Sequence, residues 1–404
     1  MKPPAQDSTP SVAEVGAAFL KLGLTSFGGP VAHLGYFHAE FVERRKWLSD
    51  AAYADLVALC QFLPGPASSQ VGMALGMMRA GWLGALIAWA AFTLPSAIVL
   101  AALAMGLGAS SSSAAAGVLH GLKIVAVSVV AQALWGMAKN LCTDSRRCTL
   151  AMLATCAVLL LPGGWTQWSV MIIGALLGWL WLEPASSFDA GASAGLNTGI
   201  SRRTGALLLL VFVAALLLLP LAAHLWPTPA LQAFQAFYQA GALVFGGGHV
   251  VLPLLQSAVQ APGWVSADQF LTGYAAAQAV PGPLFTLAAY LGALLPLGAT
   301  LSGPFGAMLS LLAIFAPAAL LVLGALPFWN SLRGHAATRR ALAGVNACVV
   351  GILGAALYDP VWTSAIHNRL DLALALLCFG CLNWLRLPAF AVVLLGAVAG
   401  AALY

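Results

Sequence analysis

The stretch AAFLKLGLTSFGGPVAHL, residues 17–34, decides the fold, because it returns at residues 235–252 as QAFYQAGALVFGGGHVVL. Phe19 aligns with Phe237, Gly23 with Gly241 and Phe27 with Phe245. Both copies put a glycine run inside apolar sequence where a helix should continue. Glycine costs a helix interior about 1 kcal/mol and proline about 3, so a break made twice in the same way has an architectural reason. Working outward, WLSDAAYADLVALCQFLPGPASSQ (47–70) matches WVSADQFLTGYAAAQAVPGPLFTL (264–287). Trp47 pairs with Trp264, Gln61 with Gln278, and the PGP at 64–66 with the PGP at 281–283. Gly84, Pro95 and Gly121 then match Gly306, Pro317 and Gly344. The order and near-constant offset mark an internal duplication. Its halves are expected at 10–183 and 227–404, with a linker and one further apolar helix at 184–226.

Hydrophobic residues make up 61% of the chain and charged ones 7%, against about 25% charged in a soluble domain. Runs such as 82–107 and 204–226 are long enough to cross a bilayer, and they lack the alternating ten-residue pattern of a β-barrel. The fold class is therefore an all-α polytopic membrane protein whose surroundings are a lipid bilayer. The beginning, MKPPAQDSTPSVAEV, has no basic region followed by an apolar core, so no cleavable signal is expected. The net charge of +5 is spread over loops instead of gathered on a soluble face, which argues against nucleic acid as a partner. Cys378 and Cys381 form a C-x-x-C inside an apolar span with no second motif, a pattern read as packing and not as a metal site. H-E-x-x-H, G-x-S-x-G and Walker A patterns are missing. Neither an enzyme nor a cofactor is expected, and without an ATPase any transport must draw on gradients or potential.

Lys and Arg favour cytoplasmic loops, so their placement tests how the halves face. The first half carries Arg44, Arg45 and Lys46, then Arg79, then Lys139, Arg146 and Arg147. The matching loops of the second half, QAPGW, LPLGATLSG and YDPVWTSAIHN, have neither residue type. Conversely, Arg333, Arg339 and Arg340 stand where the first half has GASSSSAAAG. This loop-by-loop swap, with one crossing at 204–226 between the halves, predicts two repeats of inverted topology and a cytoplasmic N-terminus. The segments 12–27 and 31–43 rise only about 20–24 Å, and basic residues follow the second. Each repeat is then expected to hold two re-entrant helical hairpins, broken at FGGP or FGGG and at PGP, besides its transmembrane helices. The alternative is that each short helix crosses fully and the glycines only kink or pack.

Broken backbone at membrane depth needs a protein or polar cavity around it. Pro30, Pro66, Gly248 and Pro283 sit where the second arm of each hairpin begins, a position that suits proline. Helix N-termini aimed at such tips present free N–H groups and a positive dipole end, a pattern met in transporters. The candidate site therefore comprises the tips Ser26, Gly28, Gly29, Pro30, Pro64, Gly65, Pro66, Gly246, Gly247, Gly248, Gly282 and Pro283. Side chains able to meet an oxyanion join them: His33, Gln61, Ser68, Ser69, Gln70, His249, Gln278, Thr286 and Tyr290. Any one hydroxyl or amide could simply cap a broken helix. Lys21 and Lys123, with the neutral repeat partner Asn346 for the latter, complete the set because ionisable groups within spans point to function. Snorkelling to the interface is the alternative for both lysines. His33 and Glu40 could line an entrance or simply pair.

At these residues the sequence resembles the chromate transporter family in its long, two-domain form. The resemblance rests on FLKLGLTSFGGPVAHLGYFHAEFVERRKWLSDAAYADLVALCQFLPGPASSQ and its FGGGHVVLPLL…QAVPGPLFTLAAYLG echo, and covers nearly everything outside 184–203. It implies a multi-pass bacterial inner-membrane protein that exports chromate and gives chromate resistance, with sulfate, the isosteric dianion, as competitor or alternative substrate. A sulfate or other oxyanion permease stays open, as does a homodimer. An intramembrane lipid-modifying enzyme would need a nucleophile–base pair that the tips do not offer. Gly248 in place of Pro30, and the lack of a Ser pair after the second PGP, imply unequal contributions from the two halves.

Overall fold

The computed structural model describes residues 11–27, 29–107, 113–161, 164–183, 199–244, 251–298, 302–329 and 336–403. Among them there is no strand. The first half runs α1 (Val12–Thr25), α2 (Gly29–Phe37, continued by a π-helical turn His38–Arg44), α3 (Asp50–Phe62), α4 (Ala67–Leu107), α5 (Ser113–Leu141), α6 (Ser145–Leu160) and α7 (Gly164–Trp181). A single helix, α8 (Arg202–Leu225), leads to α9 (Pro229–Ala242), α10 (Val251–Gln260), α11 (Ala267–Ala279) and α12 (Leu287–Leu294). The chain ends in α13 (Pro304–Ala325), α14 (Ala336–Ala356), α15 (Arg369–Asn383) and α16 (Ala389–Leu403). The starts are written in the sequence: Ser11, Ser49, Asp144, Ser201, Thr228, Ser266 and Asn368 each accept a backbone N–H of the helix that follows, the usual N-cap contribution of about 1 kcal/mol.

Among the described residues, five helices are long and apolar enough to cross a bilayer: Ala67–Gly106, Gly117–Leu141, Arg202–Leu225, Pro304–Phe328 and Ala336–Ala365. The first is really two, because Ala80 and Gly81 leave helical geometry and Gly81 takes φ +63. The chain reverses there so tightly that a Cβ at Gly76 would collide with the Gly84 carbonyl. In the second half a Cβ at Gly292 would collide likewise with the Gly306 carbonyl, between α12 and α13. The two arms flanking the first PGP are thus the helix Asp50–Phe62 and residues 67–79.

Packing repeats itself between the halves. α1 lies on the second arm of α4, with Gly23 against the carbonyls of Ala91 and Phe92, and α9 lies on α13, with Gly241 against that of Ile314. The terminal helices are exchanged: α6 and α7 pack on α14, while α15 and α16 pack on α5. Both exchanges run through glycine. A Cβ at Gly344 would strike the Gly174 carbonyl and the Gly178 backbone, and one at Gly121 would strike the Gly396 carbonyl and the Gly400 backbone. The two G-x-x-x-G pairs let helix backbones touch, which is how helices associate where lipid removes the hydrophobic drive between them. Under α2 the core is aromatic, with Phe19–Phe37, Phe19–Phe41 and Phe37–Phe92 centroids at 5.5, 4.9 and 5.1 Å. α8 stays largely exposed and apolar.

Candidate functional site

Helix α1 stops at Thr25, and α2 begins at Gly29, whose φ of +81 suits glycine alone. Helix α3 stops at Phe62, and the next helix starts at Ala67 after Leu63–Pro66, with Gly65 at φ +120. In the second half α11 ends at Ala279 and Gly282 holds φ +111. Residues 245–250, and with them Gly246, Gly247, Gly248 and His249, lie outside the described residues, as does Gly28. What joins the breaks is a matched pair of backbone hydrogen bonds between the halves. Gly65 N–H donates to the Val244 carbonyl at 2.7 Å, and Gly282 N–H donates to the Ser26 carbonyl at 2.9 Å. Val244 and Ser26 are equivalent positions, each just before a glycine run, so the PGP tip of each half is tied to the first break of the other.

Buried polar side chains lie around both ties, with Ser96 against Gly282 and Gln70 against Gly65. Ser26, His33, Ser68, Ser69, Gln70, Thr93 and Ser96 are all buried. His33 Nδ1 lies 3.4 Å from Ser68 Oγ, and its ring meets Phe92 edge-on at 5.3 Å. Ser96 donates to the Thr93 carbonyl at 3.0 Å, and a Cβ at Gly282 would come within 2.7 Å of Ser96 Oγ. Gln70 Nε2 donates to the Pro64 carbonyl at 2.8 Å and closes the first PGP turn, as Thr286 Oγ does for Pro283 at 2.7 Å. Five groups here have no partner among the described residues: Ser26 Oγ, His33 Nε2, Ser69 Oγ, Gln70 Oε1 and Thr93 Oγ1. A buried polar atom left unmatched costs about 1–3 kcal/mol, so five of them around the two ties make this region the candidate site.

The chromate transporter family signature matches twice, at residues 13–179 and 231–401. The chain belongs to that family. A chromate transport protein from Pseudomonas aeruginosa is 25% identical, over 94% of this chain and 93% of its own length. A chromate transport protein from Cupriavidus metallidurans is 28% identical, over 89% and 84%. An uncharacterized transporter from Methanocaldococcus jannaschii is 25% identical, over 86% and 83%. No solved structure matches.

In this member of the chromate transporter family the expected site residues divide into three groups. Ser26, Gly29, His33, Pro64, Gly65, Pro66, Ser68, Ser69, Gln70, Gly282, Pro283 and Thr286 all belong to the ties or the elements flanking them; the Pro30 side chain is not among the described ones. Gln278, hydrogen-bonded to Tyr274, stands one turn before the second PGP, and Tyr290 covers Gly273 as a packing residue. The remaining four are elsewhere. Gln61 is exposed, and Asn346 is half-buried on α14. Lys123 is paired with Asp268 at 2.6 Å, at the start of α11 and so at the base of that hairpin. Lys21 is 53% exposed and faces Glu40 at 3.5 Å.

Glu40 pairs, as one of its two expected roles had it. Its carboxylate is only 6% exposed and bonds Arg44, with Arg45 Nε at 2.7 Å. Arg45 also reaches Glu14 at 2.9 Å, and Arg79 approaches Glu14 at 3.7 Å. Both guanidiniums lie over the Trp47 ring, at 5.5 and 5.4 Å. This network fastens α1, the π-helical turn and the bend of α4 to one another at the base of the first hairpin. Thr93, Ser96 and Glu14 were not singled out from sequence. A threonine and a serine on an apolar helix carry no signal of their own; Pro95 between them, matched at Pro317, was the available hint.

Proposed function

We propose that this chain exports chromate, a tetrahedral dianion, from the cytoplasm across the bacterial inner membrane, and that the polar cluster at the Ser26–Gly282 tie receives it. The pair of crossed backbone bonds, Gly65 to Val244 and Gly282 to Ser26, carries the reading. It brings broken helices together around hydroxyl, imidazole and amide groups, five of whose atoms have no partner among the described residues, which suits a desolvated oxyanion. Membership of the chromate transporter family supplies the substrate class. The swapped Lys and Arg bias supports inverted repeats with hairpins from opposite faces, and a cytoplasmic N-terminus. An inside-negative potential favours expulsion of a dianion by about 4.6 kcal/mol per 100 mV, so export needs no covalent chemistry and no bound cofactor. Everted membrane vesicles test this. Labelled chromate should accumulate in vesicles carrying the protein and not in vesicles without it, and sulfate in excess should compete. Vesicles that take up sulfate but no chromate would overturn the chromate reading.

A further inference from the structure

A polar cleft lies away from the Ser26–Gly282 tie. It is about 560 Å³ and lies between α7, α9, α10 and the turn before α11, walled by Gln167, Gln232, Gln235, Gln239, Ser257 and Trp264. No charged side chain lines it. Gln232, Gln235 and Gln239 share one face of α9, so the cleft follows that helix inward for about two turns or more. Its inner end is Leu243, the residue before Val244, whose carbonyl receives the Gly65 N–H. Gln235 donates to the Gln239 amide oxygen at 2.5 Å, which occupies that acceptor and leaves the Gln239 NH2 as a donor. Amide donors, without a carboxylate nearby, suit an oxyanion in passage.

The equivalent crevice in the first half is shut. Gln232, Gln239 and Ala258 correspond to Glu14, Lys21 and Glu40, and Trp264 to Trp47. There the ion pairs Glu14–Arg45, Glu40–Arg45 and Lys21–Glu40, roofed by Trp47, fill the space that the glutamines leave open. We propose that the glutamine-lined cleft is the outer mouth of the anion path, open in this structure while its charged counterpart closes the inner one. The proposal rests on the transport reading above and goes further by naming a second anion-contacting surface.

The test is a pair of opposite charges at one position. Gln239→Glu and Gln239→Lys, the latter copying Lys21, are compared with the unaltered protein for chromate exchange in right-side-out vesicles and for uptake in everted ones. The KM for external chromate should rise about fivefold with Glu and fall about fivefold with Lys, the scale of one charge acting on a dianion through hydrated protein. The KM from the cytoplasmic side should stay within twofold. Should either variant fail to reach the membrane, Gln235→Glu and Gln235→Lys make the same comparison. Variants that shift the external KM in the same direction, or not at all, while the unaltered protein transports, overturn the cleft. An unaltered protein that moves no chromate overturns the transport reading instead.

Discussion

The two halves of this molecule share a backbone plan and differ in what they hang on it. At the crossing, Ser26, His33, Ser68, Gln70, Thr93 and Ser96 of the first half correspond to Val244, Val251, Phe285, Leu287, Phe315 and Ala318 of the second, while Ser69 keeps a hydroxyl counterpart in Thr286. At the base of the first hairpin the contrast is between charge and amide, Glu14 and Lys21 against Gln232 and Gln239. The contacts that set the architecture are kept in both: glycines 65 and 282 at positive φ, glycines 23 and 241 against a helix backbone, glycines 121 and 344 inside the exchanged helix pairs. The difference teaches that symmetry holds the scaffold while chemistry is concentrated on one side of it. A bound ion would then be gripped by first-half side chains and braced by second-half backbone.

The strongest way to break the comparison is at what the halves share. Gly344→Leu and Gly121→Leu each place a side chain where a carbonyl of the partnering helix already lies, so no rotamer relieves the overlap and the helices must part. Each substitution should cost more than about 3 kcal/mol. The check is the amount of monodisperse protein recovered from membranes and its melting temperature. Both variants should fail alike; loss in one with tolerance in the other would mean that the exchanged helix pairs are not equivalent supports.

The next test exchanges chemistry between halves. His33→Val gives the first half the second half's residue. Valine is smaller than the imidazole and apolar, so the helix should persist and the protein should still fold, while a polar group at the tie is lost. Chromate uptake in everted vesicles should fall about tenfold or more, in line with removing one well-placed contact to a charged ligand. The mirror change, Val251→His, buries an imidazole with no described partner, and should lower stability by about 1–3 kcal/mol without improving transport. Equal losses of transport from both changes would mean that the second half also binds the ion through its side chains.

Much of this was open to reading because repetition is a strong signal. The glycine runs, the PGP turns and the ends of the arms around them could be marked from Pro, Gly and Ser positions alone, since those residues act through local backbone geometry. His33, Ser68 and Ser69 could be marked too, because they follow the breaks directly in the chain. Thr93 and Ser96 could not, because they enter the site from the far arm of α4, brought there by packing of α1 on that arm. The exchange of α6 and α7 for α15 and α16 was equally hidden. Gly121 and Gly344 announce that something comes close, but one sequence does not say what. Lys123 and Lys21 were drawn toward the tips by their position within apolar helices, yet each finds a carboxylate, Asp268 and Glu40, at the base of a hairpin.

Lys21→Gln is the smallest of these changes and the finest probe of the asymmetry, since it makes the first half's α1 match Gln239 on α9. The Lys21 side chain is 53% exposed and its nitrogen stands 3.5 Å from Glu40, a pair of the kind worth at most about 1 kcal/mol. Glu40 would keep both arginines, Arg44 and Arg45, so its buried carboxylate stays neutralised and the hairpin base should hold. Stability should therefore change by less than about 1 kcal/mol, measured as melting temperature in detergent. Transport should respond more than stability does. If chromate enters at this face, as proposed, removing one cation there lowers the local concentration of a dianion, and that effect is screened by salt. The KM for chromate in everted vesicles should rise about two- to threefold at low ionic strength and return toward the unaltered value at high salt, with the maximal rate unchanged. A fall in maximal rate that persists in high salt would instead make Lys21 part of the moving gate, fastened through Glu40 to the turn it closes.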